Sequence, residues 1–255
     1  MQRKRCMLKK ILFSIVIWNA SLYSGTINIA VAANVSYAID DLKKAFNKVH
    51  PDTKVQVVFG SSGKLTAQIK HGAPYQLFMS ADMKYPEALY KDKVAVTKPL
   101  VYAQGTLAYL SSKAKDFSKG MLLTKDENIR KIAIANPKTA PYGKAAVEAM
   151  KNASVYEDVK KKFVFAESAS QTVSYTVTAT DLGFIAKSSL YSSKMKQYKE
   201  GIHWAEVDPK LYTPIEQGIV ILKKGEENSE VRAFYDFMLS AKAQKILTDF
   251  GYLLP

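Results

Sequence analysis

Uncharged hydroxyl and amide side chains beside glycine, proline or alanine recur at four places in this 255-residue chain. They are Asn34-Val35-Ser36, Gly60-Ser61-Ser62-Gly63, Pro141-Tyr142-Gly143 and Ser168-Ala169-Ser170. Side chains of this kind donate hydrogen bonds without carrying charge, and small neighbours leave the backbone N–H groups open to a ligand. Gathered in one cleft, they suit an anion held by neutral donors.

Covalent and metal chemistry find less support. Ser61 to Lys64 matches S-x-x-K, the nucleophile motif of penicillin-recognising exported hydrolases, but those enzymes also need K-T-G and an S-D-N-like element. The chain offers Lys138-Thr139-Ala140 and nothing for the third. Gly60 to Lys64 is too short for a phosphate-binding P-loop. His50, His71 and His203 lie far apart and form no metal-ligand pattern, and Cys6 is the only cysteine. Fifteen tyrosines would allow a tyrosine-based ferric-ion binder, but Tyr102, Tyr109 and Tyr175 read more simply as core or interface aromatics.

Each of the four corners follows a strand-like run and opens a helical pattern. Val55 to Val58 leads into Gly60, after which Leu65 and Ile69 mark a helix face and Gly72 with Pro74 stops it. Ser61 or Ser62 stands where an N-cap belongs. Taken by itself, that corner reads more readily as the cap of a surface helix. Thr26 to Val31 leads into Asn34, and Ile39, Leu42, Phe46 and Val49 follow at helical spacing, with Asn34 or Ser36 as the cap. Lys131 to Ala135 precedes Pro141, and Phe163 to Ala166 precedes Ser168, where Ser168 or Ser170 can cap. Further extended runs are Gln76–Met79, Pro99–Tyr102 passing through Gly105 into Thr106–Leu110, Asp181–Ala186 and Thr213–Leu222. One or two helices over 229–250 close the chain. Repeated strand-corner-helix units predict open, largely parallel α/β sheets, with ligands at the carboxyl ends of the strands. The run through Gly105 predicts a crossing into a second lobe, and Thr213–Leu222 a return.

Residues 1–24 have the order of a secretory signal peptide: five basic residues and no acid up to Lys10, an apolar run over 11–17, then small residues from Ala20 to Gly25. The alternative is an uncleaved N-terminal anchor. Cleavage is expected between Ala20 and Gly25. The net charge of +14 falls to +9 once residues 1–24 are removed. The remaining lysines are scattered among acids, so they read as solvated faces and not as a nucleic-acid surface. Hydrophobic and charged contents of 47% and 24% are those of a soluble globular protein.

The mature chain resembles the periplasmic molybdate/tungstate-binding proteins of ABC importers nearly end to end. The resemblance is sharpest at Ala32-Ala33-Asn34, at Gly60-Ser61-Ser62-Gly63 with Leu65, Gln68-Ile69 and Gly72-Ala73-Pro74, and at Phe78-Met79-Ser80-Ala81-Asp82. Weaker echoes lie at 137–143, Ala166-Glu167, Leu182-Gly183, Pro214-Ile215 with Gly218, and Phe234-Tyr235. It implies a two-lobed type II periplasmic binding fold, each lobe an open mixed sheet flanked by helices, with the ligand between them. Residues 25–104 plus 215–255 would form lobe 1 and 105–214 lobe 2. The family's first contact falls on Asn34, donating through its amide and its own N–H. The second falls on Ser62, the third on the Tyr142 backbone N–H, and the fourth on Ala169 with Ser168 adjacent. The fifth, often a tyrosine hydroxyl, falls on Ala186, which has no hydroxyl, a gap for which the Tyr142 hydroxyl is the candidate replacement; Ser61 is a further candidate contact. The resemblance implies a periplasmic monomer that is no enzyme, needs no cofactor, coordinates no metal through its own side chains, binds no nucleic acid and delivers its anion to an inner-membrane permease.

Molybdate and tungstate carry no proton at neutral pH, so their oxygens only accept. Hydrogen bonds to a charged group contribute roughly 1.5–3 kcal/mol each, so a few aimed donors offset the desolvation of the dianion. On that scale the missing hydroxyl at Ala186 weakens binding about tenfold or more. Phosphate keeps a proton and needs an acceptor, for which Glu167 is the nearest candidate. Sulfate and phosphate are therefore the alternative ligands.

Overall fold

The structure is a computed structural model that describes residues 25–254. The expected signal peptide, with Cys6, lies outside the described residues. In chain order the regular elements are β1 (Thr26–Ala32), α1 (Ile39–Asn47), β2 (Lys54–Gly60), α2 (Ser62–Lys70), β3 (Leu77–Met79), α3 (Lys84–Lys91), β4 (Leu100–Gly105) and β5 (Leu107–Leu110). There follow β6 (Ile132–Ala135), α4 (Pro141–Asn152), α5 (Tyr156–Val159), β7 (Phe163–Ala166), α6 (Ala169–Thr178), β8 (Leu182–Ala186), β9 (Trp204–Glu206), β10 (Ile215–Ile221), α7 (Ser229–Met238) and α8 (Ala241–Asp249).

The strands form two five-stranded sheets, ordered β2-β1-β3-β10-β4 and β7-β6-β8-β5-β9. Strands joined through a helix pair in parallel: β1 lies beside β2 over seven residue pairs, from Thr26 with Lys54 to Ala32 with Gly60, and β6 lies beside β7. β10 runs antiparallel to both β3 and β4, and β5 antiparallel to β8 and β9. The sheets are therefore mixed, where the corner pattern by itself predicted largely parallel ones. The difference comes from the strands that carry the chain out of one sheet and back again: they enter without a helical crossover, which a parallel neighbour would require.

Each lobe has its own core. α1 buries Ile39, Leu42 and Phe46 at spacings of three and four against Ile27 and Ile29 of β1, and α7 and α8 close the same core with Phe234, Met238 and Leu247. In the second lobe Ile132, Ile134, Leu182 and Phe184 pack under Ala145, Ala149 and Met150 of α4. Tyr102 and Tyr109 are buried, as read from the sequence.

Two of the expected caps are absent. Before α1 the chain makes a 3-10 turn, Ala33–Tyr37, so Ala38 and neither Asn34 nor Ser36 stands at the N-cap. The Ser36 hydroxyl instead donates to the Ala33 carbonyl at 2.7 Å. Ser61 does occupy the N-cap position of α2, but its side chain makes no capping bond. Ser168 caps α6, its hydroxyl accepting from the Gln171 N–H at 3.3 Å. Gly72 takes a φ of +87° just past the end of α2, a conformation that glycine adopts without strain.

Candidate functional site

The parallel strands β1, β2, β6 and β7 all end toward the gap between the lobes, and several contacts hold that gap shut. The N–H of Gly63, in the first turn of α2, donates to the Thr139 carbonyl at 2.9 Å. The Tyr85 hydroxyl reaches the Lys138 carbonyl at 3.3 Å, and the Ser188 hydroxyl donates to the Asn34 carbonyl at 3.0 Å. Lys64 and Glu167 form an ion pair of 2.7 Å with both side chains about half exposed. Gly63 requires its lack of a side chain: a Cβ there would lie 2.6 Å from the Tyr85 hydroxyl and 3.0 Å from the Thr139 backbone.

Behind these contacts lies a small hollow. Asn34, Ser61, Ser62, Tyr142 and Ala169 all line it, together with Ala33, Gly60, Ala81, Ala140 and Pro141. No ionisable group other than the Tyr142 phenol is among its lining residues. Ser62 is fully buried; its oxygen accepts the Ala81 N–H at 2.9 Å, which leaves the hydroxyl proton uncommitted. The Ser61 hydroxyl is buried and has no hydrogen-bond partner among the described residues. Pro141 is the first residue of α4 and has no N–H, so the first free N–H of that helix belongs to Tyr142. Ala169 is the first residue of α6. The positive ends of α2, α4 and α6 thus meet around one space.

The structure brings Asn34, Ser61, Ser62, Tyr142 and Ala169 together. Ser168 adjoins them as the cap of α6. Ala186 ends β8 opposite Leu107 and is not among the lining residues. Two expectations need correction. The amide hydrogens of Asn34 do not face a ligand position: they donate to Gln217 Oε1 at 2.9 Å and to the Tyr252 hydroxyl at 3.0 Å. Its Oδ1, 1% exposed as part of a buried residue, is left without a partner among the described residues. Glu167 does not offer an acceptor inside the hollow, because its carboxylate is held by Lys64 at the surface. The same pair places the Lys64 ammonium on Glu167, and Ser61 Oγ, the nucleophile position of S-x-x-K, has no hydrogen bond to it among the described residues.

Sequence reasoning missed the layer behind Asn34. Gln217 Oε1 also accepts from the Tyr102 hydroxyl at 2.8 Å, and Gln217 Nε2 donates to the Tyr142 hydroxyl at 3.2 Å. The Tyr252 hydroxyl donates to the Asn34 carbonyl at 2.9 Å. Burial pushes the hydroxyls of Tyr102, Tyr142 and Tyr252 up, so all three stay protonated. The Tyr142 hydroxyl thus extends to the strands that join the lobes. A Cβ on Gly105 would fall 2.0 Å from it, so only glycine fits at that crossing. Glutamine at one position of a strand and tyrosine near a chain terminus give no local pattern that reveals such a network.

Comparison with known proteins shows the family and the fold. A family model described as bacterial extracellular solute-binding protein matches residues 27–253. The molybdate-binding protein ModA of Azotobacter vinelandii is 36% identical over 230 residues, covering 89% of this chain and 89% of its own. ModA of Rhodobacter capsulatus is 35% identical over 233 residues, covering 90% and 89%. The solved structure of the Azotobacter vinelandii periplasmic molybdate-binding protein superposes with a TM-score of 0.82 at 31% identity, over 90% of this chain and 99% of that one. From the matching family model and these relatives, the chain belongs to the bacterial extracellular solute-binding protein family, together with the molybdate-binding ModA proteins.

Proposed function

We propose that this protein is the periplasmic binding component of an ABC importer and that it carries molybdate or tungstate between its two lobes. The observation that carries the reading is the hollow between the lobes, ringed by three helix starts and uncommitted neutral donors and bordered by no carboxylate. A proton-free tetrahedral dianion needs donors on every side and is repelled by a carboxylate. The reading assigns contacts to the Ser62 hydroxyl and N–H, the Tyr142 and Ala169 N–H groups, and the backbone N–H of Asn34. Ser61 supplies the hydroxyl that Ala186 lacks, because the residue lines the hollow and its hydroxyl has no partner among the described residues, whereas the Tyr142 hydroxyl is engaged by Gln217. Ser168 acts through its cap on α6.

Delivery to a membrane permease follows from the family, and lobe closure gives the permease a loaded shape to recognise. The reading includes no catalysis, no cofactor and a monomeric protein. Phosphate is the second reading, favoured by one observation: Asn34 Oδ1 is a buried, unpaired acceptor that suits a protonated oxyanion. Calorimetric titration of the protein with molybdate, tungstate, sulfate and phosphate in turn tests both. Strong binding of the first two with weak competition by sulfate is the expected result. Tighter binding of phosphate than of molybdate selects the second reading, and absence of heat with all four overturns both.

A further inference from the structure

Gln217 lies away from the hollow and is fully buried, at a place where the pairing of β10 with β4 slips by one residue between Gln217 and Gly218. Such bulges re-aim side chains next to functional sites. The residue skipped by this one is Tyr102 of β4, whose hydroxyl meets the Gln217 amide in a set of four polar side chains: Asn34, Tyr102 and Tyr142, with Tyr252 beyond Asn34. In the arrangement seen, Gln217 accepts from Tyr102 and Asn34 and donates to Tyr142. That choice obliges Asn34 to turn its NH2 inward and leaves Oδ1 as its remaining polar atom.

The two ends of a carboxamide have nearly the same shape, so a half-turn of both amides keeps the packing and reverses every polarity. Gln217 Nε2 then donates to Asn34 Oδ1 and to the Tyr102 hydroxyl, and Gln217 Oε1 accepts from the Tyr142 hydroxyl. The Tyr252 hydroxyl donates to Asn34 Oδ1, while Ser188 still satisfies the Asn34 carbonyl from 3.0 Å. The hydroxyl left without an acceptor passes from Tyr142 to Tyr102, so the count of satisfied groups inside the network is kept. The Asn34 NH2 then occupies the edge that carried the unpaired oxygen, on a residue that lines the hollow.

We infer that Gln217 is a specificity-determining positioning residue: its amide orientation sets whether Asn34 offers the hollow an acceptor or two donors. One setting suits an oxyanion that keeps a proton, the other an oxyanion that has none. This inference rests on the proposed anion site and adds the residue that tunes it. It makes Gln217, and through it Tyr102 and Tyr142, part of anion discrimination without any of the three amide and hydroxyl groups of that inner layer needing to touch the ligand.

Nuclear Overhauser spectroscopy on the 15N-labelled protein, with molybdate as the probe, reads the turn directly. With molybdate at saturation the Gln217 side-chain amide protons should lie against the Tyr102 ring, and the Asn34 amide protons should lose their contact with the Tyr252 ring. Gln217 protons that still contact the Tyr142 ring and not the Tyr102 ring in the molybdate complex overturn the inference while leaving the anion site standing. A protein whose amide spectrum is unmoved by molybdate, tungstate, sulfate and phosphate overturns both together. Gln217→Met, which can neither donate nor accept in this way, should bind molybdate about tenfold more weakly. It should also narrow the ratio of molybdate to phosphate affinity, which general loosening of the fold would leave unchanged. An unchanged ratio in a folded Gln217→Met protein counts against the assignment. Should that variant fail to fold, the contacts in the unsubstituted protein decide.

Discussion

Replacing Ser62 by alanine removes one oxygen that serves both the fold and the ligand. In the fold, Ser62 Oγ accepts the Ala81 N–H at 2.9 Å, where Ala81 is 2% exposed and Ser62 not at all. Alanine leaves that N–H buried and unpaired, at a cost of about 1–3 kcal/mol. For a protein of this size that corresponds to a melting temperature lower by roughly 2–12 °C. At the ligand, the hydroxyl proton is one of the donors offered to the dianion, and a hydrogen bond to a charged group contributes about 1.5–3 kcal/mol. Its loss therefore weakens molybdate by about 10- to 150-fold. The two effects separate by comparison with Thr66→Ala on the same helix. Thr66 is also buried and donates to the Ser62 carbonyl at 2.8 Å, but it does not line the hollow. Calorimetric titration and thermal melting of both variants should show destabilisation in both and loss of affinity only in Ser62→Ala. Unaltered molybdate affinity in a folded Ser62→Ala protein would refute the placement of the anion at the start of α2.

Other consequences are open to measurement. Gly105→Ala should destabilise the protein by about 1–3 kcal/mol, because its Cβ would meet the Tyr142 hydroxyl at 2.0 Å and Gln217 Nε2 at 2.6 Å. Adding Tyr142→Phe should restore part of that loss, and a melting experiment in which the double variant is no more stable than Gly105→Ala removes the steric account. Lys64→Ala should lower affinity by no more than about fivefold, and less so at high salt, since the Lys64–Glu167 pair is half exposed; a salt-independent loss far beyond that would show a different role. Burial pushes Tyr37 up to about 12, and Tyr102 and Tyr142 also well up from the ordinary tyrosine range. An unfolded tyrosine ionises near pH ~10, so the stability due to these buried phenols is present below that pH and is lost as the pH climbs toward 12 and beyond. Phenolate absorbance should accordingly include a cooperative step that coincides with loss of the fold. Gradual titration of every tyrosine with the fold intact would contradict it.

The strand-corner-helix units were legible because each rests on neighbouring residues: Val55 to Gly60 followed by Leu65 and Ile69, or Ile132 to Ala135 followed by Pro141. Local spacing also marked where the small polar corners fall, and a strand that feeds a helix puts free N–H groups at such a corner wherever it occurs. That much the linear chain determined by itself. It could not determine what those corners do with their side chains. Ser61 sits at a cap position without capping, because nothing in its neighbourhood decides between the backbone and the hollow. Asn34 keeps its donors for Gln217 and Tyr252, which are 183 and 218 residues away in sequence. The mixed sheets depend likewise on β10 returning beside β3 and β4 from the far side of the second lobe. Hydrogen bonds are short and directional, so partners brought together by the lobes and the long-range pairing of β10 settle them, and only the tertiary structure makes that choice.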